Sequence, residues 1–316
     1  MGLFSKKKFV SAGLVLDGGA FRYLSLEGGD GFYSVVDSVS ESIPPGYAAS
    51  DDLFSDAGAY LDSVLDYVSR AVGGFKVAVN FAIPVTESLL RIVNLPGMTV
   101  AEARMAFRYE FENYFPFPEN EGVYDIAEIE YPVREDFSEK RFLVAAARRA
   151  LVDNISRAAA AHGIKLASLE PSQLALERAA NPPHPIETGC AYVYAGNLRS
   201  VLILSWKGCG IFYRSISSGF GADLTSGGFE SEAYGEHAVS FVRDIRSSLQ
   251  FAMSQNRAFS AESLYLFGPG SSPQLCGLLK ESTSMESVML IDPMKVHGID
   301  FDNAGGWDVA LGLALR

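Results

Sequence analysis

The sequence predicts a two-domain α/β protein with a duplicated fold, and three observations support this prediction. First, 316 residues, 48% of them hydrophobic, can bury two cores of ordinary size. Second, residues 9–39 and 191–216 share one layout, in which three strands are joined by glycine-bearing or polar turns. Third, helical and strand patterns alternate between and after these segments, as is typical of α/β domains.

The composition argues against several classes of protein. The net charge of -12 disfavours nucleic-acid binding, because neutralising phosphates requires a surplus of Lys and Arg. Three scattered cysteines (Cys190, Cys209 and Cys276) are too few for a disulfide framework, and they form no metal-type pair. No apolar run is long enough to span a membrane, and the N-terminal residues lack an apolar signal core. We therefore expect a soluble, cytoplasmic protein.

After its first three strands, the chain alternates between helices and strands. Residues 53–72 carry an apolar helical face that ends at two glycines. Strands are predicted at 76–83 and 89–95, and Thr99 and Glu102 form a capping box at the start of the next helix. That helix carries phenylalanines at helical spacing and ends before two prolines.

Residues 141–169 follow the order strand, helix, strand. A buried strand at 141–147, a helix at 148–162 and a strand at 164–169 together predict a βαβ unit. The two strands of such a unit are parallel neighbours in one sheet. We therefore expect 141–147 and 164–169 to pair.

A proline-rich break at 181–185 marks the predicted domain boundary. The first domain then covers 1–180 and the second 181–316, with a last helix that can pack back on the first domain. Beyond the second three-stranded segment, the pattern predicts further helices and strands at 230–256, 263–267, 273–280, 287–291 and 308–315.

Three glycine turns are candidates for binding a nucleotide, which in a duplicated fold of this type lies between the domains. Glycine suits such turns because a Cβ would keep phosphates away from the backbone amides. In the first turn, Asp17 can orient a magnesium ion through its water ligands. Gly18 and Gly19 offer open amides, and Arg22 can contact a phosphate. Taken alone, this turn is more simply explained as an ordinary hairpin.

The other two turns carry weaker signals. The second offers Gly196 and Asn197, but Tyr194 stands at its start, where a second carboxylate is needed. The third joins a strand to a helix through Gly268 and Gly270, and such helix N-termini favour anions or a closely packed adenine ring. With one acid missing, a triphosphate would be poorly neutralised in a protein of net charge -12.

Two stretches, Leu95–Met98 and Phe107–Pro118, resemble the signature region of the PilM family of actin-like type IV pilus assembly proteins. The cytoplasmic domain of GspL, from type II secretion, is a more distant relative of that family. The resemblance covers nearly the whole chain in the same order. It continues at residues 142–148, 169–171, 242–249 and 309–315.

The resemblance implies an actin-like (ribonuclease H-like) fold, with two domains around a central cleft and a small subdomain inserted at about 85–145. It also implies that ATP and magnesium bind in the cleft. The first domain is then expected to capture the N-terminal cytoplasmic peptide of a PilN-like, single-pass inner-membrane protein. Such partners would hold the protein at the periphery of the inner membrane.

The chain departs from the family in its phosphate loops. The first hairpin is shorter, and Arg22 stands only approximately where the family has a lysine. Tyr194 replaces the second acid, and Pro269 interrupts the glycines on the adenosine side. We therefore expect no efficient catalysis and at most weak ATP binding or hydrolysis, so that the protein acts as a scaffold.

The candidate peptide-binding residues are Phe115, Pro116, Phe117 and Pro118, because extended peptides dock in aromatic grooves. The alternative is that Phe115 and Phe117 are core residues at a helix end.

Two other functions stay open. An active ATPase or sugar-kinase-like phosphotransferase of the same superfamily would need a carboxylate base, for which Asp223, Glu230 and Asp244 are available. A filament-forming relative would self-associate.

Overall fold

The strands form three sheets in the part of the chain that the computed structural model describes, which is residues 9–17, 19–29, 32–47, 59–132, 139–184, 186–283, 285–301 and 305–316. Each strand matches a predicted one except that at Gly122–Glu128. The strands are β1 (Phe9–Asp17), β2 (Ala20–Gly29), β3 (Phe32–Ser42), β4 (Val79–Ile83), β5 (Ser88–Pro96), β6 (Gly122–Glu128), β7 (Glu139–Arg148), β8 (Leu166–Pro171), β9 (Gly189–Tyr194), β10 (Ser200–Trp206), β11 (Cys209–Ile216), β12 (Ser263–Phe267) and β13 (Ser287–Leu290).

The described helices include the six that the sequence predicts and three that it does not, at Ser172–Ala180, Ala222–Thr225 and Pro293–Val296. They are α1 (Ala59–Val72), α2 (Val100–Tyr114), α3 (Arg149–Ala161), α4 (Ser172–Ala180), α5 (Ala222–Thr225), α6 (Glu232–Gln255), α7 (Pro273–Thr283), α8 (Pro293–Val296) and α9 (Asp308–Ala314), with a 3-10 turn at Glu119–Glu121. The first part of the predicted helix at 53–72 lies outside the described residues. None of the described helices combines the length and the apolarity needed to cross a membrane.

The duplication predicted from the two three-stranded segments is confirmed. One five-stranded sheet has the order β3-β2-β1-β4-β8 and the other has the order β11-β10-β9-β12-β13. In each, an antiparallel meander is extended by two strands that run parallel to its first strand. Two sheets of identical topology within one chain give the duplicated α/β plan.

Contacts divide the chain into two compact units. The first unit comprises Met1–Pro84, Ala150–Pro183 and Pro293–Arg316, and the second comprises Val85–Arg149 and His184–Asp292. This division differs from the predicted one at 180/181, which follows chain order. By contacts, the residues of the small sheet group with the second unit and α9 groups with the first.

In the first unit, α9 packs tightly on strand β1 and helix α4. A Cβ added at Gly13 would lie 2.3 Å from the carbonyl oxygen of Ala310, and one added at Gly312 would lie 1.8 Å from that of Ala175. The buried Asn80 side chain of β4 donates to the carbonyl oxygen of Leu313 at 3.1 Å. Because both glycines bring backbone against backbone, α9 is an integral part of this core.

In the second unit, a large core lies between its five-stranded sheet and helices α6 and α7. A separate aromatic core lies between α2 and the three-stranded sheet β5-β7-β6. The predicted capping box of α2 is confirmed: Thr99 Oγ1 accepts from the Glu102 amide at 3.3 Å, and Glu102 Oε2 accepts from the Thr99 amide at 2.8 Å.

The prediction of a βαβ unit at 141–169 is wrong. Strand β7 pairs antiparallel with both β5 and β6, whereas β8 pairs parallel with β4. The reason lies in the burial of β7, where Phe142, Val144 and Ala146 face the aromatic core beneath α2. The strand is therefore covered by α2 on one face and belongs to the small sheet.

Candidate functional site

The first hairpin places the candidate residues Asp17 and Arg22 on one face of the β1–β2 pair. Asp17 lies opposite Ala20, and Arg22 lies opposite Val15, so that both side chains point to the same side of the sheet. Gly18 lies outside the described residues. Gly19 has a φ of +73°, which a glycine adopts without strain.

The Arg22 guanidinium lies against a glycine turn of the same unit. A Cβ added at Gly306, whose φ is +85°, would lie 2.9 Å from Arg22 Nη2. Arg22 Nε is buried and has no hydrogen-bond partner among the described residues. A buried donor without a partner carries a free-energy penalty. This side of the hairpin therefore suits an anion.

The Asp17 carboxyl suits a metal less well. Burial raises the pKa of Asp17 above its usual value of 3.8, and the nearby positive charge of Arg22 only partly opposes this shift. A raised pKa means that burial disfavours the charged carboxylate that would hold magnesium ligands in place. In the described residues, no group of three or more His, Cys, Asp or Glu side chains is arranged to hold a metal ion.

We expect the substitution Asp17→Asn to stabilise the protein at pH 7. Since the pKa of Asp17 is raised on folding, the folded state binds more protons than the unfolded state between pH 3.8 and the folded pKa. The free energy of unfolding therefore falls as Asp17 ionises, and Asn removes this loss. Urea unfolding between pH 4 and pH 7 measures the effect, and the gain should shrink as the pH falls toward 3.8. A less stable variant at pH 7 would contradict the assigned environment.

At the second hairpin, the Tyr194 ring fills the space beside two candidate glycines. A Cβ added at Gly196 would lie 2.5 Å from Tyr194 Cε1, and one added at Gly268 would lie 2.8 Å from Tyr194 Cδ2 and Cε2. The Tyr194 side chain is 6% exposed and packs on Phe267, with ring centroids 5.4 Å apart. These glycines make room for a side chain of the protein itself.

Gly270 makes room for a second aromatic side chain, that of Phe220. Its added Cβ would lie 2.3 Å from Phe220 Cβ, and Phe220 in turn packs on Tyr234 with centroids 5.5 Å apart. The Tyr234 hydroxyl donates to the Gly270 carbonyl oxygen at 2.9 Å and lies 2.8 Å from Ser272 Oγ. The glycine turn is therefore fixed to the body of the second unit.

Backbone amides around these turns already donate to carbonyl oxygens. Ala195 donates to Phe267 at 2.8 Å, and Gly270 donates to Ala195 at 2.9 Å. Phe220 donates to Gly196 at 2.7 Å. An amide that holds the turn cannot also hold a phosphate oxygen. The amides of Ala195, Phe220 and Gly270 are therefore engaged within the protein and are not open to a phosphate.

The predicted peptide-binding segment lies at the end of α2. Phe115 and Phe117 are buried in the aromatic core, whereas Pro116 and Pro118 are exposed. The alternative that the phenylalanine side chains are core residues therefore matches the structure. Their binding role stays a prediction, and within the segment only the two prolines present their side chains at the surface.

Phe220 and Tyr234, which pack against the glycine turn, were not among the predicted site residues. The signal that could have identified Phe220 is the pair of glycines on either side of it. A Cβ added at one of them, Gly219, would lie 2.4 Å from the Asn197 carbonyl oxygen. The three acids considered for a kinase base are all exposed: Asp223 lies on α5, Glu230 lies just before α6, and Asp244 lies on α6.

Solved structures share this fold. A chain of the PilM-PilN type IV pilus biogenesis complex matches 97% of this chain and 98% of its own, with a TM-score of 0.78 at 23% identity. A protein of unknown function with an actin-like ATPase fold from Bacteroides thetaiotaomicron matches 99% and 98%, with a TM-score of 0.51 at 11% identity. The ethanolamine utilization protein EutJ from Carboxydothermus hydrogenoformans matches 98% and 90%, with a TM-score of 0.50 at 13% identity.

No protein-family model matches the chain, and no curated protein sequence matches it. At sequence identities this low, similarity to solved structures shows the fold, whereas function has to be argued from the site. The two sheets of identical topology agree with the neighbours that cover nearly the full length. The protein therefore has the actin-like ATPase fold that the sequence predicted.

Proposed function

We propose that this protein is a cytoplasmic scaffold of a type IV pilus or type II secretion-like assembly complex. It binds the N-terminal cytoplasmic tail of a single-pass inner-membrane partner, and its nucleotide pocket is degenerate. The observation that carries the proposal is the likeness, over 97% of the chain, to a solved chain of the PilM-PilN complex. Its place at the inner membrane follows from that partner.

The aromatic core supports a binding role for the residues at the end of α2, because it holds them rigidly. The rings of Phe115 and Phe117 stack with centroids 6.3 Å apart, and each lies against Phe111. The Arg148 guanidinium lies over the Phe117 ring, 5.0 Å from its centroid. A surface that is already ordered loses little entropy when an extended peptide binds. Pro116 and Pro118 are its exposed rim.

The expected result for the binding test is that Pro116→Ala with Pro118→Ala weakens peptide binding about tenfold, as loss of a rigid apolar rim predicts. The probe is a fluorescent synthetic peptide with the N-terminal cytoplasmic sequence of a PilN-like single-pass membrane protein, and fluorescence anisotropy measures its binding. Phe251→Ala, at an exposed aromatic on α6, is the control and should bind like the wild type. An unchanged affinity in the double variant would rule out the assigned rim, and a wild type that binds no such peptide would rule out the scaffold.

The degenerate pocket separates this proposal from an ATPase or kinase. The second hairpin lacks a carboxylate, and the Tyr194 ring fills the space where its glycines would open a cradle. The acids Asp223, Glu230 and Asp244 are exposed and show no shared site. We therefore propose that ATP and magnesium have at most a weak, structural role. Self-association, which light scattering measures, stays a prediction.

A further inference from the structure

We infer that the second hairpin and the glycine turn have become an aromatic lock, formed by Tyr194 and Phe220 with Gly196, Gly268 and Gly270. The lock holds this edge of the sheet in one conformation, and magnesium ATP neither opens nor tightens it. The inference deepens the proposed function, since it names the residues that closed the degenerate pocket.

The glycines are the first argument for a lock. In a phosphate-binding turn, glycine leaves space for a ligand to approach the backbone. Here each of the three spaces holds a ring: Tyr194 lies within 2.8 Å of the Cβ position of both Gly196 and Gly268, and Phe220 lies within 2.3 Å of that of Gly270. A larger residue at Gly196 or Gly268 would also meet a backbone carbonyl oxygen, that of Arg199 at 2.2 Å or that of Ala195 at 2.7 Å from the added Cβ. Glycine is therefore needed at these positions whether or not a nucleotide binds.

The backbone is the second argument. Strand β12 and the turn after it are tied to β9 by the bonds from the Ala195 amide to Phe267 and from the Gly270 amide to Ala195. Gly268, with a φ of +101°, makes this path possible, and Ser271 donates both its amide and its hydroxyl to the Gly268 carbonyl oxygen. A phosphate could accept hydrogen bonds from the Ala195 and Gly270 amides only after these two bonds had broken.

Electrostatics point the same way. A phosphate loop without a magnesium-holding acid leaves the charge of a triphosphate to side-chain cations, and between β9 and β10 the chain offers only the exposed Arg199. At the second hairpin, Tyr194 occupies the position of the acid, and its side chain is 6% exposed. A carboxylate at this position would be buried against Phe267 and Gly268. Restoring the acid alone therefore does not restore the site.

The test is hydrogen exchange of the Ala195 and Gly270 amides, measured by NMR with and without magnesium ATP. In the wild type, we expect slow exchange at both amides and no change on addition of the nucleotide. Tyr194→Ala should raise both exchange rates by about tenfold or more, and Tyr194→Phe, which keeps the ring, should not. Nucleotide-dependent slowing at these amides in the wild type would overturn the lock, and so would a Tyr194→Ala variant that exchanges like the wild type.

A second variant tests the electrostatic argument. Tyr194→Asp removes the ring as Tyr194→Ala does, so isothermal titration should show that the two variants bind magnesium ATP alike. A gain in binding in Tyr194→Asp alone would mean that the missing acid, and not the ring, closed the pocket, and this would overturn the lock. The peptide titration keeps the two proposals apart. If the peptide fails to bind while the amides behave as expected, the scaffold is wrong and the lock stands. If the peptide binds while magnesium ATP slows the amides, the lock is wrong and the scaffold stands.

Discussion

Gly312→Ala is expected to destabilise the first unit by about 3 kcal/mol or more, which is at the upper end of the effects of overpacking. The new Cβ would lie 1.8 Å from the Ala175 carbonyl oxygen and 2.4 Å from its carbonyl carbon. Both atoms belong to the backbone of α4, so no side chain can turn aside to make room. Gly312 also accepts a hydrogen bond from Arg178 Nη1 at 2.6 Å, which any displacement of α9 would disturb.

The same substitution at Gly277 is the matched control. Gly277 is exposed within α7, and an added Cβ meets no atom within 4 Å. Gly277→Ala should therefore stabilise the protein by about 0.5 to 1 kcal/mol through helix propensity. Calorimetry and urea unfolding of both variants measure the difference. A Gly312→Ala protein as stable as the wild type would show that α9 does not pack on α4 as described.

Phe111→Ala is expected to cost about 3 to 5 kcal/mol, the usual range for removing a buried phenylalanine side chain. Phe111 is fully buried, and its ring lies 4.8 Å from that of Phe115 and 5.4 Å from that of Tyr124, centroid to centroid. A Cβ at Gly122 would lie 2.5 Å from Phe111 Cζ, so the strand below is shaped to this ring. The cavity would loosen the residues at the end of α2, and peptide binding should fall as well.

Tyr109→Ala is the control on the same helix. The Tyr109 side chain is 88% exposed, so its removal should change the free energy of unfolding by less than about 0.5 kcal/mol. Hydrogen exchange of the α2 amides reports the local effect in both variants. If Phe111→Ala exchanged as slowly as Tyr109→Ala, the aromatic core would not be what stabilises this helix.

Local sequence patterns predicted those helices and strands whose structure depends on residues close to them in sequence. The two meanders follow from runs rich in β-branched and aromatic residues and from glycine-bearing turns, and α2 follows from the capping box of Thr99 and Glu102. Helix α6, predicted at 230–256, runs from Glu232 to Gln255. In each case the residues that fix the element lie within a few positions of it.

The features that could not be predicted depend on contacts between residues far apart in the sequence. Strand β7 is as apolar as a central parallel strand, but its partners are β5 and β6, and only the aromatic face of α2 explains why. The missing acid at Tyr194 was visible in the sequence. The placement of its ring against Phe267 and Gly268 was not, because these residues come from a strand and turn much later in the chain.

The packing of α9 also determines when the first unit can complete its fold during synthesis, because α9 lies at the end of the chain. The hydrogen bond from the Asn80 side chain to the Leu313 carbonyl oxygen can form only after Leu313 has been synthesised, 233 residues later. At a synthesis rate of about 5 to 20 residues per second, this interval lasts roughly 10 to 50 s. Throughout that time β1 and β4 lack the helix that covers Gly13, so the face that α9 buries stays uncovered by it. The second unit, whose last residue precedes α8, can be complete first.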